Sequence, residues 1–184
     1  AVGWTAPPVG PHIRGVCAPQ ASCEHAFHVV GRGENFIARN NTVVDFNTHF
    51  RIDGHAPAFP DHGRIEGNTV SNTSARDTRD RVAAVDLVAA SGWTVAQNVI
   101  TDFARAQGDR ASYGVLVRGG GNGNRVERNV IVCEQRLHGL AGQRFGVSFG
   151  GGGTRRGLCR SKDCASEQEG GVIEANLVAS CSDE

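Results

Sequence analysis

One motif recurs five times along this chain and constrains its fold more than any other feature. Each copy places an asparagine before a short run of β-branched residues, as in FIARNNTVVDF at residues 36–46. The aligned asparagines are Asn41, Asn68, Asn98, Asn129 and Asn176. They are about 27 to 31 residues apart, with one wider interval of about 47, and a period in this range is typical of solenoids, propellers and repeat arrays. We therefore expect one short unit to be stacked several times.

A second short element recurs between the asparagine motifs. It has apolar residues at alternate positions and is bounded by glycine or turn residues, which predicts a strand. Its copies predict two inward ladders, Phe27, Phe50, Val85, Val115, Val147 and Val29, Ile52, Leu87, Val117, Phe149. Helical periodicity is not sustained; residues 79–90 have a helix-forming composition, but their spacing fits the strand ladder better. These features favour an all-β fold, a right-handed parallel β-helix of about five coils, over helix-containing arrays or a propeller.

The 184 residues are expected to form a single domain. Residues 1–24 are rich in proline and predict an irregular N-terminal cap that covers the first coil, and residues 25–184 predict the coils. The sequence has the character of a processed mature protein or a fragment, since it stops directly after the fifth asparagine motif. An uncapped coil exposes apolar surface and strand edges, so we expect a further part of the protein, a second chain or another copy to cover that end.

The even number of cysteines predicts three disulfides. The expected pairs are Cys17–Cys23, Cys159–Cys164 and Cys133–Cys181. The first two would staple short loops, and the third would join consecutive coils, which stack about 4.8 Å apart. A zinc site is the alternative, but the cysteines show neither CxxC nor CxxH spacing. Disulfides are typical of oxidising compartments, so we expect a secreted, periplasmic or cell-surface protein. The sequence contains no apolar run of the length that spans a membrane.

The charge composition limits the class of ligand. Nineteen basic and nineteen acidic residues give a net charge of zero, which argues against a nucleic-acid-binding protein. All of the basic residues except Lys162 are arginine. A planar guanidinium suits bidentate contacts with carboxylates, so an acidic ligand is the natural partner for such a chain.

The units Asn-Asn-Thr-Val, Gly-Asn-Thr-Val and Gln-Asn-Val-Ile resemble the repeats of right-handed parallel β-helix proteins of the pectate-lyase-like superfamily. The resemblance extends over residues 26–181. It implies a secreted protein that acts on polysaccharides, chiefly as a lyase, hydrolase or epimerase, and the superfamily also contains surface proteins without known catalysis. The recurring asparagines themselves are expected to be structural, since asparagine tolerates left-handed backbone at a bend and can form side-chain ladders along the axis.

The outward residues of the second element predict a polar stripe, which is our candidate site. The stripe and its flanks contain His28, His49, Arg51, Asp53, Asp86, Tyr113, Leu116, Arg118 and Ser148. Alternate residues on a strand face the same way, so His49, Arg51 and Asp53 are expected to form one cluster. An outer face of ordinary solvated polar residues is the competing interpretation.

Elimination on an acidic polysaccharide needs a base, a cation beside the carboxylate and a proton donor for the leaving oxygen. In the β-helix lyases that this chain resembles, an arginine or lysine is the base and acts beside calcium-binding carboxylates. The resemblance therefore implies Arg51 or His49 as base, Arg118 as the ligand of the substrate carboxylate and Tyr113 as proton donor. The predicted Ca²⁺ ligands are Asp53 and Asp86. A hydrolase would instead use Asp53 and Asp86 as its carboxylate pair.

Two irregular segments complete the predictions. Residues 55–63 contain His55, Asp61 and His62, which indicate a metal or binding loop, although two prolines favour a rigid turn. Residues 135–170 depart most from the period and are expected to form one wall of a groove. The alternative to an enzyme is a noncatalytic surface or matrix protein that serves as a structural or sugar-binding module.

Overall fold

The computed structural model describes residues 14–16, 23–107, 109–151, 154–161 and 163–182. Most of the predicted N-terminal cap, including Cys17, lies outside these residues, so the structure does not address it.

Short strands make up the described chain. The first strands are β1 (Arg14–Val16), β2 (His25–Val30), β3 (Ile37–Arg39) and β4 (Thr42–Val44). The next two coils contain β5 (Thr48–Asp53), β6 (Arg64–Glu66), β7 (Thr69–Ser71), β8 (Val82–Val88), β9 (Thr94–Ala96) and β10 (Val99–Thr101). The fourth coil contains β11 (Ser112–Arg118), β12 (Gly121–Asn122), β13 (Arg125–Glu127) and β14 (Val130–Val132). The fifth contains β15 (Arg144–Phe149), a 3₁₀ turn (Arg156–Leu158), β16 (Gln168–Glu169), β17 (Val172–Glu174) and β18 (Leu177–Ala179).

Three long parallel sheets run along the molecule, and a short fourth sheet pairs β12 with β16. The first sheet contains β2, β5, β8, β11 and β15, the second contains β3, β6, β9, β13 and β17, and the third contains β1, β4, β7, β10, β14 and β18. Each coil contributes one strand to each sheet, and the coils make about four complete turns. The prediction of an all-β parallel β-helix is confirmed, and residues 79–90 contain a strand, β8, rather than a helix.

The two predicted ladders of the first sheet lie in the interior, where inward residues of the second and third sheets pack against them. Phe50 pairs with Phe27 and Val85, and Ile52 pairs with Val29 and Leu87 in register. The same registers continue through β11 and β15. The side chains of Phe50 and Ile52 are fully buried, and burial of a side chain of this size stabilises a fold by about 1.5 to 3 kcal/mol.

The predicted asparagine ladder is also confirmed. In each step one asparagine donates from Nδ2 to Oδ1 of the asparagine in the next coil, over 2.9 Å in all four steps from Asn41 to Asn176. The same Oδ1 accepts the backbone N–H of the preceding asparagine, as Asn68 does for Asn41 at 2.9 Å. The ladder therefore satisfies polar groups at the bend between the second and third sheets.

The backbone geometry of this bend differs from the expectation that the asparagines themselves adopt the left-handed conformation. The left-handed backbone lies one residue before each ladder asparagine. The residues with positive φ at this place are Asn40 (57°), Gly67 (65°), Gln97 (57°), Arg128 (55°) and Ala175 (54°). This turn divides each asparagine motif into two strands, so a coil has three strands where the sequence indicated at least two.

Two of the predicted disulfides are confirmed. Cys133 is bonded to Cys181, with a Cα–Cα distance of 4.9 Å, and Cys159 is bonded to Cys164. Cys23 is disulfide-bonded as well, but its predicted partner Cys17 lies outside the described residues. None of the described cysteines is therefore available as a zinc ligand.

The asparagine ladder gives the first testable prediction. We expect Asn98→Ala to lower the free energy of unfolding by about 3 kcal/mol, because it leaves the buried backbone N–H of Asn68 without its partner and removes the hydrogen bonds from Asn98 Nδ2 to the Ile65 carbonyl oxygen and to Oδ1 of Asn129. Urea unfolding followed by circular dichroism measures this change. Asn122→Ala, at an exposed position, is the matched control and should change stability by less than about 0.5 kcal/mol. Equal effects at the two positions would contradict a structural role for the ladder.

Candidate functional site

A groove with a volume of about 560 Å³ lies over the outer face of the first sheet. Its floor contains Thr48, Arg51, Asp53, Tyr113 and Arg118. Residues of the connections 72–81, 102–111 and 150–167 also line it and form its walls. The predicted role of the 135–170 excursion as a groove wall is confirmed, since Arg155 and Leu158 belong to the lining.

A buried carboxylate organises the floor. The side chain of Asp86 is fully buried, and it accepts hydrogen bonds from Nε and Nη2 of Arg118, both at 3.0 Å. It also accepts one from Nη1 of Arg51, on the neighbouring coil. Because an isolated buried charge is very costly, Asp86 requires these two guanidinium partners.

Arg51 is held on its other side by Asp53. Nε and Nη2 of Arg51 donate to the two oxygens of Asp53 at 2.8 and 2.7 Å. Burial lowers the pKa of Arg51, but the charges of Asp86 and Asp53 outweigh it and raise that pKa above its ordinary value. A guanidinium held protonated in this way is a poor base, so the geometry gives Arg51 a framework role instead of the expected one.

The predicted calcium site does not fit these contacts. Asp53 and Asp86 both accept hydrogen bonds from Arg51, whose positive charge lies between them and would repel a cation. Across the described ranges, no group of three or more His, Cys, Asp or Glu side chains is arranged to hold a metal ion. The two carboxylates are arginine partners rather than metal ligands.

The same contacts disfavour the hydrolase interpretation. Asp86 is fully buried. Burial raises the pKa of Asp53, but hydrogen bonds from Arg51 and His28 outweigh it and hold that pKa below its ordinary value. Neither carboxyl group is therefore suited to donate a proton to a glycosidic oxygen.

The prediction that His49 shares a face with Arg51 and Asp53 is wrong. His49 is fully buried, its Nε2 lies 3.2 Å from the Ser71 carbonyl oxygen, and its ring meets the edge of Phe46. Two consecutive residues, His49 and Phe50, point into the core, whereas Thr48 and Arg51 line the groove. Strict alternation is interrupted at this point of the strand, and His49 cannot reach a ligand in the groove.

Tyr113 and Arg118 lie in the groove as expected. The Tyr113 ring stacks on Phe145 with centroids 5.2 Å apart. The guanidinium of Arg81 lies 5.4 Å from the centre of the Tyr113 ring. The phenol is thus held beside Arg81 in the lining of the groove, to which Arg118 also belongs.

Sequence reasoning missed the arginines of the walls. Six arginines line the groove: Arg51, Arg79, Arg81, Arg105, Arg118 and Arg155. Four of them lie in connections, whose paths the repeat does not specify. The signal available in the sequence was the arginine-rich stretch ARDTRDR at residues 75–81, directly before β8.

Contacts between the connections hold the walls in place. Arg105 donates to the carbonyl oxygens of Thr78 and Arg79, which ties the connection 102–111 to the connection 72–81. It also forms an ion pair with Asp109. Arg160, next to the Cys159–Cys164 disulfide, makes a bidentate ion pair with Asp61 at 2.8 and 2.7 Å. Asp61, in the connection formed by residues 55–63, thus joins that connection to the 135–170 excursion.

The lining carries more cationic groups than its carboxylates neutralise. Arg51, Arg105 and Arg118 have carboxylate partners. Within the part of the chain that the structure describes, Arg79, Arg81 and Arg155 make no ion pair. Burial and the nearby charge of Arg118 lower the pKa of Arg81. An anion placed here would relieve that repulsion.

Comparison of the chain with protein-family models, curated proteins and solved structures found no match. The described residues contain no helix long and apolar enough to cross a membrane.

His49 gives a prediction about acid stability. Burial lowers its pKa from 6.5 to about 4, whereas the unfolded chain binds the proton near pH 6.5. The neutral, buried histidine therefore contributes stability above pH 6.5, and this contribution of about 3 kcal/mol is lost as pH falls towards 4. We expect urea unfolding to show this loss and His49→Gln to flatten the pH profile. His138→Gln, at an exposed site, should leave the profile unchanged. If the wild-type protein and both variants share one pH profile, the loss of stability in acid does not come from His49.

Proposed function

We propose that the protein binds an acidic polysaccharide in the groove of the first sheet. The observation that carries the proposal is the set of three lining arginines, Arg79, Arg81 and Arg155, that have no ion-pair partner in the described chain. Unneutralised guanidinium groups in a concave, partly desolvated site attract anions and can bind carboxylates through two parallel hydrogen bonds.

The shape of the groove supports an elongated ligand. The lining residues of the first sheet extend from His25 on β2 to Tyr113 and Arg118 on β11, and three intervals of about 4.8 Å give a length of about 14 Å. Residues from different coils therefore meet a polymer at regular steps. The net charge of the protein is zero, which argues against nucleic acid as the polymer. The resemblance of the repeats to the pectate-lyase-like superfamily favours a polysaccharide.

The disulfides support a location outside the reducing cytosol. Cys133–Cys181 and Cys159–Cys164 both stabilise the coils that carry the groove, and such bonds persist in oxidising compartments. We infer a secreted, periplasmic or cell-surface protein, where extracellular polysaccharides are available as ligands.

Arg81 provides the direct test of binding. We expect Arg81→Ala to weaken binding of polygalacturonate or alginate about tenfold, because a charge-assisted hydrogen bond contributes about 1.5 to 3 kcal/mol. Isothermal titration calorimetry at fixed ionic strength measures the dissociation constant. Arg32→Ala removes the same charge from an exposed turn outside the groove and should leave affinity within about twofold, as expected for a screened distant charge.

The outcomes separate the ligand classes. Binding of the acidic polysaccharides, but not of neutral dextran, supports the proposal. Absence of binding to any acidic polysaccharide, or preferential binding of single-stranded DNA, would overturn it. Equal losses in Arg81→Ala and Arg32→Ala would show that only net charge matters and that the groove is not the site.

Cleavage by β-elimination is the second candidate, and the position of Tyr113 favours it. The phenol lies in the groove lining beside Arg81, where it could donate a proton to a leaving sugar oxygen. Among the described residues, Arg51 and His49 do not provide the expected base, so the binding function has the stronger support. The rival interpretation is a noncatalytic sugar-binding module.

Activity assays distinguish the enzyme from the module. The protein is incubated with alginate, pectate and glycosaminoglycans, with and without calcium, while unsaturated uronate is followed by ultraviolet absorbance and new reducing ends are assayed. If elimination occurs, Tyr113→Phe should slow it at least about a hundredfold, the lower range for general acid catalysis, and Arg32→Ala should not. Absence of both products with the wild-type protein would remove the lyase and hydrolase interpretations.

A further inference from the structure

Five side chains of the first sheet form a continuous polar series, which we call the floor relay: His28, Asp53, Arg51, Asp86 and Arg118. Of these, Arg51, Asp53 and Arg118 line the groove. Nε2 of His28 lies 3.0 Å from Oδ2 of Asp53. Asp53 accepts both of its other hydrogen bonds from Arg51, and Asp86 joins Arg51 to Arg118. The relay spans four coils, and its net charge is zero when His28 is neutral.

We propose that His28 couples anion binding in the groove to pH, so that the groove binds its acidic ligand more tightly as pH falls. This inference rests on the proposed binding function and adds a regulation to it. Histidine is the side chain that ordinarily changes charge between pH 5 and 8. Protonation of His28 changes the net charge of the floor relay from zero to plus one.

The contacts of Asp53 explain how the added charge reaches the ligand. With neutral His28, the hydrogen bonds of Asp53 to Arg51, at 2.8 and 2.7 Å, hold that guanidinium. An imidazolium donates a charge-assisted hydrogen bond to Oδ2, and the negative charge of Asp53 is then shared between two cations. Arg51, which lines the groove, becomes less neutralised and attracts an anionic ligand more strongly.

The position of His28 suits this role. Its side chain is 43% exposed, so protons reach it directly from solvent. Asp86 remains held by Arg118 whichever form His28 adopts, because those hydrogen bonds do not involve Asp53. The buried part of the floor is therefore preserved while the exposed end changes its charge.

Other titratable groups lie near His28. The ring of His25 on the same strand is 4.7 Å away, Glu24 precedes that strand, and Arg51 and Asp53 face it from β5. His25 and Glu24 also line the groove. Neither of them is hydrogen-bonded to Asp53 in the described chain, so a variant of His25 separates a general charge effect from the coupling through Asp53.

The test uses dextran sulfate, whose charge is constant across the pH range. We expect the wild-type protein to bind it about fivefold more tightly at pH 5.5 than at pH 8, at the lower end of typical coupling between two sites. His28→Gln keeps a hydrogen-bonding side chain without the titrating charge and should lose most of this pH-dependent gain. His25→Gln should retain most of the pH-dependent gain.

A second measurement follows from the reciprocity of coupled binding. If protonation of His28 strengthens binding, saturating dextran sulfate must shift the titration midpoint of the His28 ring, followed by nuclear magnetic resonance, to higher pH. A fivefold gain corresponds to a shift of about 0.7 pH units. A structural hydrogen bond alone would not produce this shift.

The outcomes are distinct for the two proposals. If the wild-type protein binds, but His28→Gln keeps the full pH dependence or the ring midpoint does not move, the coupling is overturned and the binding function stands. If the wild-type protein binds neither dextran sulfate nor uronate polymers at either pH, the binding function fails and the coupling fails with it.

Discussion

The asparagine ladder is the interaction on which the rest of the molecule depends. Each step pairs side chains over 2.9 Å and also satisfies a backbone N–H group, so neighbouring coils can meet in one register only. A shift by one residue would place every inward side chain on the outer face. The same register places Arg51 beside Asp86 and Asp86 beside Leu116 on the first sheet. The arrangement of charged side chains on the groove floor therefore depends on hydrogen bonds formed at the bend between the second and third sheets.

Asp86 shows why the floor binds arginine rather than a metal ion. A buried carboxylate is costly unless its oxygens are hydrogen-bonded to opposite charge, and the side chains of Arg51 and Arg118 meet that requirement from the two adjacent coils. Both arginines are therefore largely committed inside the protein. The groups that remain available to an external anion lie on the walls, where the backbone departs from the repeat, and one end of the floor is modulated by His28.

The sequence allowed most of the scaffold to be predicted and only part of the site. Repetition places equivalent residues in equivalent environments, so the inward ladders and the Cys133–Cys181 bond follow from alignment. His49 was misplaced because strict alternation was assumed where the strand turns two successive side chains inward. The wall residues Arg79, Arg81 and Arg155 were missed because a connection has no repeat to fix its path. Their positions depend on tertiary contacts such as Arg160 with Asp61.

Arginine abundance alone does not identify the groove, as the outer face of the second sheet demonstrates. That face carries alternating charges too, but its arginines are paired with glutamates. The pairs are Arg39–Glu66, Arg64–Glu66, Arg125–Glu127, Arg128–Glu127 and Arg125–Glu174. The arginines of these pairs are about half exposed, whereas Glu66 and Glu127 are mostly covered, and the opposite charges largely cancel one another's fields. On the first sheet, by contrast, the carboxylates of the floor are paired with Arg51 and Arg118, and the wall arginines Arg79, Arg81 and Arg155 make no ion pair in the described chain. It is this unequal pairing, rather than the number of arginines, that distinguishes the face we propose to bind an acidic ligand from a neutral one in the described molecule.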